Sequence, residues 1–238
     1  LVVLSATPMH PLRYAIFILL AIAWCVSIEF QSPEYMPVKR WLRVGLLLII
    51  ALMLAMEVPY LMPPRPEPSS TRSVMVFGDS LTAGIGVHGE QTWPEMLAAR
   101  GHHDFSVVAI GGAGVADLIP AAGKIDDRKG TVLLLLGGND LLGRTRIADF
   151  ERSLDELLAK LAGDGRKVII FELPLPPFHG AYGRIQRRLA GKYAATLIPK
   201  RYLAWVLSGK DSTVDGLHLS ARGHRKLADI VSRILDPD

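Results

Sequence analysis

Cysteine is nearly missing from this chain. Its 238 residues hold one, Cys25. A single thiol cannot close an intramolecular disulfide or build a cysteine metal site. Cys25 lies inside an apolar run, where it reads as a packing residue. Aromatic residues are also scarce, at 7%, and no basic run is interleaved with them. With a net charge of only +4, this speaks against a nucleic-acid partner. The mild basic excess suits an anionic membrane surface. Nucleotide and metal motifs are missing too. No G-x-x-x-x-G-K-[ST] and no H-E-x-x-H occurs. Gly112-Ala113-Gly114 begins like a dinucleotide turn, but Asp117 stands where its third glycine belongs. His102 and His103 are adjacent, so their side chains diverge on most backbones and read as a polar loop. Neither a metal nor an organic cofactor is expected. The chain opens on Leu1 and not on Met, as a fragment or an unusual start would.

What is abundant is apolar residue, 50% of the chain, with a mean hydropathy of +0.27. The excess sits in the first sixty residues. Leu12 to Ile28 carries one charge, Arg13, and Trp41 to Met56 carries one, Arg43. With their flanks each reaches the roughly 20 residues that span a bilayer. The other account is a pair of buried core helices. A signal peptide fits poorly, because two such segments occur and no small-x-small site follows the first cleanly. Trp24, Tyr35, Trp41 and Tyr60 lie near segment ends, as interface aromatics do. Lys39 and Arg40 lie between the segments, with Arg43 just inside. Arg13 leads the pair, and Arg65 and Arg72 trail it. The bias favours a cytoplasmic loop and termini outside the cytoplasm. Pro63 to Ser70, with four prolines among polar residues, reads as an extended tether. The expected division is therefore 1–62 as a membrane hairpin, 63–72 as linker and 73–238 as one folded domain.

That domain alternates strand-like and helix-like stretches, which predicts an α/β fold with a parallel sheet. Strands are expected at Val74–Phe77, Phe105–Ile110, Thr131–Leu136 and Lys167–Glu172. Helices are expected at Gln91–Arg100, Val115–Ala122, Ile147–Ala162 and Tyr182–Leu197, the last leading into a short fifth strand before Pro199. A final helix, Ser220–Leu235, takes Ser220 as its N-cap. The leucine-rich third strand should be buried on both faces.

The first strand stops at Gly78-Asp79-Ser80. A hydroxyl at the carboxyl end of a parallel strand stands where open α/β sheets place their ligands. Ser80 becomes a useful nucleophile only beside a base. Asp215-Gly216-Leu217-His218 offers a carboxylate and an imidazole three residues apart. Gly137-Gly138-Asn139-Asp140 follows the third strand, and Gly111-Gly112-Ala113-Gly114 follows the second. In this order the four stretches resemble the blocks of the SGNH (GDSL) hydrolase superfamily: G-D-S-L, G-x-x-G, G-G-N-D and D-x-x-H. The resemblance covers about Ser73 to Leu235. Trp93-Pro94, the Leu-Leu after G-G-N-D and the L-P-x-P-P-x-x-G run at Leu173 to Gly180 look like its bacterial periplasmic thioesterase/lysophospholipase/arylesterase branch.

The resemblance implies a flavodoxin-like three-layer α/β/α sandwich and a serine hydrolase acting on carboxylic esters. It assigns Ser80 as nucleophile, His218 as base and Asp215 as the group that orients it. It assigns the oxyanion hole to the N–H groups of Ser80 and Gly114 and the amide of Asn139, with Gly111 as the alternative glycine. The chain departs from the family pattern at Ala109 and Ala113, where Asn and Ser are usual. That removes supporting side-chain hydrogen bonds but no backbone donor. Asp79 and Asp140 are expected to brace loop backbone, and His224 to face solvent. Leu141, Leu142, Leu175 and Phe178 are expected to wall an acyl pocket, because they leave strands at the same edge as Ser80. The expected substrate is an acyl ester or lipid, thioesters and lysophospholipids included, cleaved by a membrane-tethered enzyme with its hydrolase domain outside the cytoplasm. Two alternatives stay open: acyl or acetyl transfer or deacetylation on an envelope glycan, and a non-catalytic SGNH-like binding module.

Overall fold

The computed structural model describes residues 7–63, 66, 71–86, 89–123, 130–163 and 165–236. Most of the proline tether, residues 64–65 and 67–70, therefore lies outside the described residues, as does Leu1. The chain forms two compact units, one of residues 7–62 and one consisting chiefly of Pro63–Asp238.

The smaller unit holds two helices, α1 (Pro11–Ile28) and α2 (Met36–Glu57). Helix α1 starts where His10 Nδ1 accepts the Leu12 N–H, with Pro11 in the first position, where no donor is missed. The two helices have 18 and 22 residues. At about 1.5 Å per residue they measure about 27 Å and 33 Å, near the thickness of a bilayer's hydrocarbon core. At most 17% of either apolar stretch is buried. That exposure argues against buried core helices: the two helices pack on each other but leave most of their apolar surface exposed, and both could span a membrane.

The larger unit is a five-stranded parallel sheet in the order β2-β1-β3-β4-β5. The strands are β1 (Ser73–Gly78), β2 (Asp104–Ala109), β3 (Gly130–Leu135), β4 (Arg166–Phe171) and β5 (Thr196–Ile198). Among the described residues eight helices belong to it: α3 (Ser80–Ala83), α4 (Trp93–Arg100), α5 (Val115–Ala122), α6 (Gly138–Leu142), α7 (Ile147–Leu161), α8 (Gly180–Lys192), α9 (Lys200–Leu207) and α10 (Ala221–Leu235).

Alternation along the strands builds two cores. Val132, Leu134, Val168 and Ile170 face α5, α7 and α8, through Leu118, Leu154, Leu158 and Leu189. Leu133, Leu135, Ile169 and Phe171 face α4, α9 and α10, through Trp93, Leu203, Leu227 and Val231. All six residues of β3 are buried, as a central parallel strand requires. The result is the expected three-layer α/β/α sandwich. In this strand order the chain leaves β1 toward β2 and then returns past β1 to β3. The connections diverge to opposite faces between β1 and β3, which opens a crevice at their carboxyl ends.

Two local expectations need correction. Helix α8 ends at Lys192 and does not run on to Leu197, because the chain turns through Ala194 at φ 49° before entering β5. The short fifth strand does precede Pro199, which then caps a further helix, α9, that the sequence reading did not place. His224 does not face solvent. It falls on the apolar stripe of α10 with Leu227, Ala228 and Val231 and is fully buried. Its Nδ1 accepts the Trp93 N–H at 3.2 Å. That leaves the proton on Nε2, and burial lowers the pKa of the ring.

Candidate active site

Ser80 stands at the end of β1, on the first residue of the short helix α3. The turn is wound tightly. A Cβ on Gly78 would lie 2.1 Å from Thr82 Oγ1, so only glycine fits there. Asp79 caps the helix, its Oδ1 accepting the Leu81 N–H at 3.1 Å. Being buried, it has its pKa pushed up to about 6. Asp140 braces the neighbouring loop in the same way, with Oδ2 accepting the Val115 N–H at 2.9 Å. Burial raises its pKa as well. Both carboxylates thus hold backbone, as expected of them. Among the described residues neither the Ser80 hydroxyl nor its N–H, the first of α3, makes a hydrogen bond.

Asp215 and His218 form a pair. Nδ1 of His218 lies 2.6 Å from Asp215 Oδ2. Asp215 Oδ1 accepts the N–H groups of Leu217 and His218 at 2.9 and 2.7 Å. The bond to the imidazole, then those backbone bonds, hold the carboxyl well below the usual carboxylate range. An ionised Asp215 makes Nδ1 the protonated nitrogen and turns Nε2 outward as an acceptor. This loop lies beside the turn that follows Ser80: a Cβ on Gly86 would be 3.4 Å from His218 Cβ and 2.9 Å from a Val214 methyl. His218 also acts electrostatically on Asp79, the residue before Ser80.

Asn139 is in α6, one strand over, after Gly137 has turned the chain with φ 100°. One of its amide hydrogens goes to the Ala113 carbonyl, 2.9 Å away, which orients the amide and leaves its second N–H uncommitted. Gly114 N–H is already engaged: it donates to Asp117 Oδ2 at 2.8 Å, in the first turn of α5. Sequence reasoning noted Asp117 only as a missing glycine, although an acidic residue three places after an N-cap is a capping signal. Gly111, the alternative, packs against Ile85.

Beside Asp79 lies a cavity of about 120 Å³, walled by Leu81, Leu136, Leu141, Leu142, Leu173 and Pro176 and closed further by Leu203, Leu207 and Leu217. Leu141 and Leu142 are among its walls. Leu175 and Phe178 are not among its walls. Leu175 packs against the core, and Phe178 is 89% exposed. Leu203 and Leu207 could not be anticipated, because helix α9 was not. Leu217, between Asp215 and His218, could have been. One wall is fastened by Gln186, whose Oε1 accepts the Leu173 N–H at 3.0 Å and whose Nε2 donates to the Phe171 carbonyl at 3.3 Å. Next to it Glu172 and Arg187, both buried, pair at 2.6 Å.

The model of the GDSL-like lipase/acylhydrolase family matches residues 76–226, from β1 into α10. The chain belongs to that family. It is 26% identical over 186 residues to the esterase TesA of Pseudomonas aeruginosa, covering 72% of this chain and 91% of that protein. Thioesterase 1/protease 1/lysophospholipase L1 of Escherichia coli K12 is 27% identical over 176 residues, covering 69% of this chain and 84% of the relative. The crystal structure of TesA superposes with a TM-score of 0.59 at 27% identity, over 69% of this chain and 98% of that one. The protein is therefore a serine ester hydrolase of the GDSL family, on an SGNH-type α/β scaffold. Among the described residues no group of three or more His, Cys, Asp or Glu is placed to hold a metal ion.

Proposed function

We propose that the protein is a membrane-tethered serine esterase that cleaves acyl esters through Ser80, His218 and Asp215. The observation that carries this is the Asp215–His218 pair, joined at 2.6 Å and lying beside the turn that follows Ser80 and its short helix. Nε2 of His218 takes the proton from Ser80 Oγ as the oxygen attacks the ester carbonyl. Asp215 stays ionised and stabilises the imidazolium. The oxyanion meets the N–H of Ser80, the second amide hydrogen of Asn139 and the N–H of Gly114. The imidazolium protonates the departing alkoxide or thiolate. Water, activated by the same imidazole, then frees the acyl group from Ser80. The missing Ser80–His218 hydrogen bond fits a resting site, where such bonds tighten only with substrate. Gly114 can serve only once its N–H leaves Asp117.

The apolar cavity beside Asp79 supports an acyl chain of short to medium length, and the names of the relatives support esters and thioesters. The two apolar helices support a membrane anchor. The Lys39, Arg40 and Arg43 cluster between them supports a hydrolase domain outside the cytoplasm. The division into residues 1–62, 63–72 and 73–238 belongs to the same proposal. Ser80→Ala should abolish labelling by a fluorophosphonate and lower kcat by roughly four to six orders of magnitude, as removal of a triad member does elsewhere. Labelling that persists in the alanine variant removes Ser80 from the nucleophile's role.

A further inference from the structure

Of the nine large apolar side chains that the catalytic unit leaves exposed among the described residues, six lie at one edge. Ile85, Ile110, Leu142, Phe178, Val214 and Leu217 are each 37% to 89% exposed. They come from the turn after α3, the loops after β2 and β4, the end of α6 and the loop carrying Asp215 and His218. Contacts bring some of them together: Ile85 lies against the Gly111 turn, and Val214 against Gly86. They therefore rim the crevice at the carboxyl edge of the sheet. Val107 on the outer strand, Ile147 at the start of α7 and Trp205 on α9 stand apart, and Lys226 Nζ lies 4.7 Å from the centre of the Trp205 ring.

Phe178 is held out against its own preference. Pro176 to His179 form a turn closed by His179 N–H on the Pro176 carbonyl at 3.3 Å. His179 Nδ1 also lies 2.8 Å from the Pro177 carbonyl. Phe178 occupies the third position with φ 67°, where such a turn favours glycine. A bulky aromatic in left-handed backbone is a costly outlier. Here it places the ring in solvent at 89% exposure, on a loop stiffened by Pro174, Pro176 and Pro177. Neither core packing nor the acyl cavity uses that ring. Beside this rim stand Arg144 and Arg146. Arg146 pairs with Asp149, while Arg144 is exposed and in no ion pair among the described residues.

We propose that the rim of the catalytic crevice docks on a phospholipid bilayer, with Phe178 entering the interface and Arg144 meeting anionic headgroups. An amphipathic patch of apolar groups edged by base binds such surfaces by area and charge together. The occupant is a lipid surface because the patch surrounds the mouth of an acyl-ester site and carries positive charge. The same chain also holds two helices long enough to lie in a bilayer. Substrate would then pass from the lipid into the crevice without crossing bulk water. The activity half of this proposal rests on the esterase function, and the docking half does not.

The test uses the full chain in bilayers with one dye at a time. Cys25→Ser supplies a cysteine-free background. Phe178→Cys or, at the opposite edge of the sheet, the exposed His102→Cys then takes an environment-sensitive fluorophore. Lipids quenching at headgroup depth should quench position 178 about twofold or more beyond position 102, and more so with phosphatidylglycerol present than in purely zwitterionic bilayers. Phe178→Ser should lower turnover of an ester dissolved in the bilayer about fivefold relative to a water-soluble p-nitrophenyl ester. Equal quenching at 178 and 102, or equal effects of Phe178→Ser on both esters, overturns the proposal. Selective quenching at 178 in a chain without esterase activity would uphold docking and refute the esterase function.

Discussion

The cavity beside Asp79 sets a limit on acyl length. Its volume is about 120 Å³, room for about four methylene-sized groups at about 30 Å³ each. A buried methylene contributes about 0.8 kcal/mol. Four come to about 3 kcal/mol, so kcat/KM should rise by up to about 200-fold from acetyl to hexanoyl esters and then level off. Leu207 is the residue to perturb. It lines the cavity yet is only partly buried, so a larger side chain there need not break the core. Leu207→Phe should take up the space of about one or two methylenes, lowering kcat/KM for hexanoyl about 4- to 15-fold while acetyl hardly changes. The assay is a p-nitrophenyl ester series run on parent and variant at matched fluorophosphonate-titrated enzyme. Equal losses on acetyl and hexanoyl esters, or a parent that prefers acetyl, would refute the acyl cavity and favour a small-acyl, glycan-deacetylating enzyme.

Asn139→Ala should preserve the fold and the fluorophosphonate labelling but cost about 10²–10³ in kcat, the scale of one oxyanion donor; full activity would leave Asn139 as a turn residue tied to Ala113. Asp79 holds its proton more tightly folded than unfolded, with its pKa pushed from 3.8 to about 6, so its contribution is complete below about pH 4 and fades as pH rises through about 6. Asp79→Asn should therefore flatten that part of the stability profile in urea titrations across the same window, and an unchanged slope would show that Asp79 does not set it. Alkaline phosphatase and a fluorescent protein, fused in parallel to the C-terminus, should give phosphatase activity without cytoplasmic fluorescence. The opposite pattern reverses the topology.

The parts of this molecule that were legible in its sequence are those where chemistry leaves few choices. Gly78 admits no side chain beside Thr82, so the turn under Ser80 is written as a glycine. The unbroken aliphatic run Val132–Leu135 of β3 announces a central parallel strand. Asp215 and His218, three residues apart, sit on one loop whose backbone N–H groups the carboxylate gathers in. What was missed depended on tertiary context. Helix α9 begins directly after Pro199 without a side-chain cap and is only eight residues long, too short for its apolar period to stand out in a window of about 11 or more residues. Phe178 looked like a pocket wall because its loop leaves the right edge, but the direction of its side chain hangs on a backbone angle no pattern encodes. His224 is different. Its spacing from Leu227, Ala228 and Val231 puts it on the apolar stripe, so its burial was readable and the polar side chain misled.

Gln186 has a consequence for motion. Strand β5 is only three residues long, and short outer strands fray first when a protein breathes. The Leu173 amide, just past the end of β4, would open with it if it relied on that neighbour. It is instead clasped by a side chain from α8, a helix packed into the main core. Hydrogen exchange at Leu173 should then follow the slow global unfolding of the domain and not the rapid fraying of its border. The wall of the acyl cavity keeps its shape while the sheet's margin comes and goes.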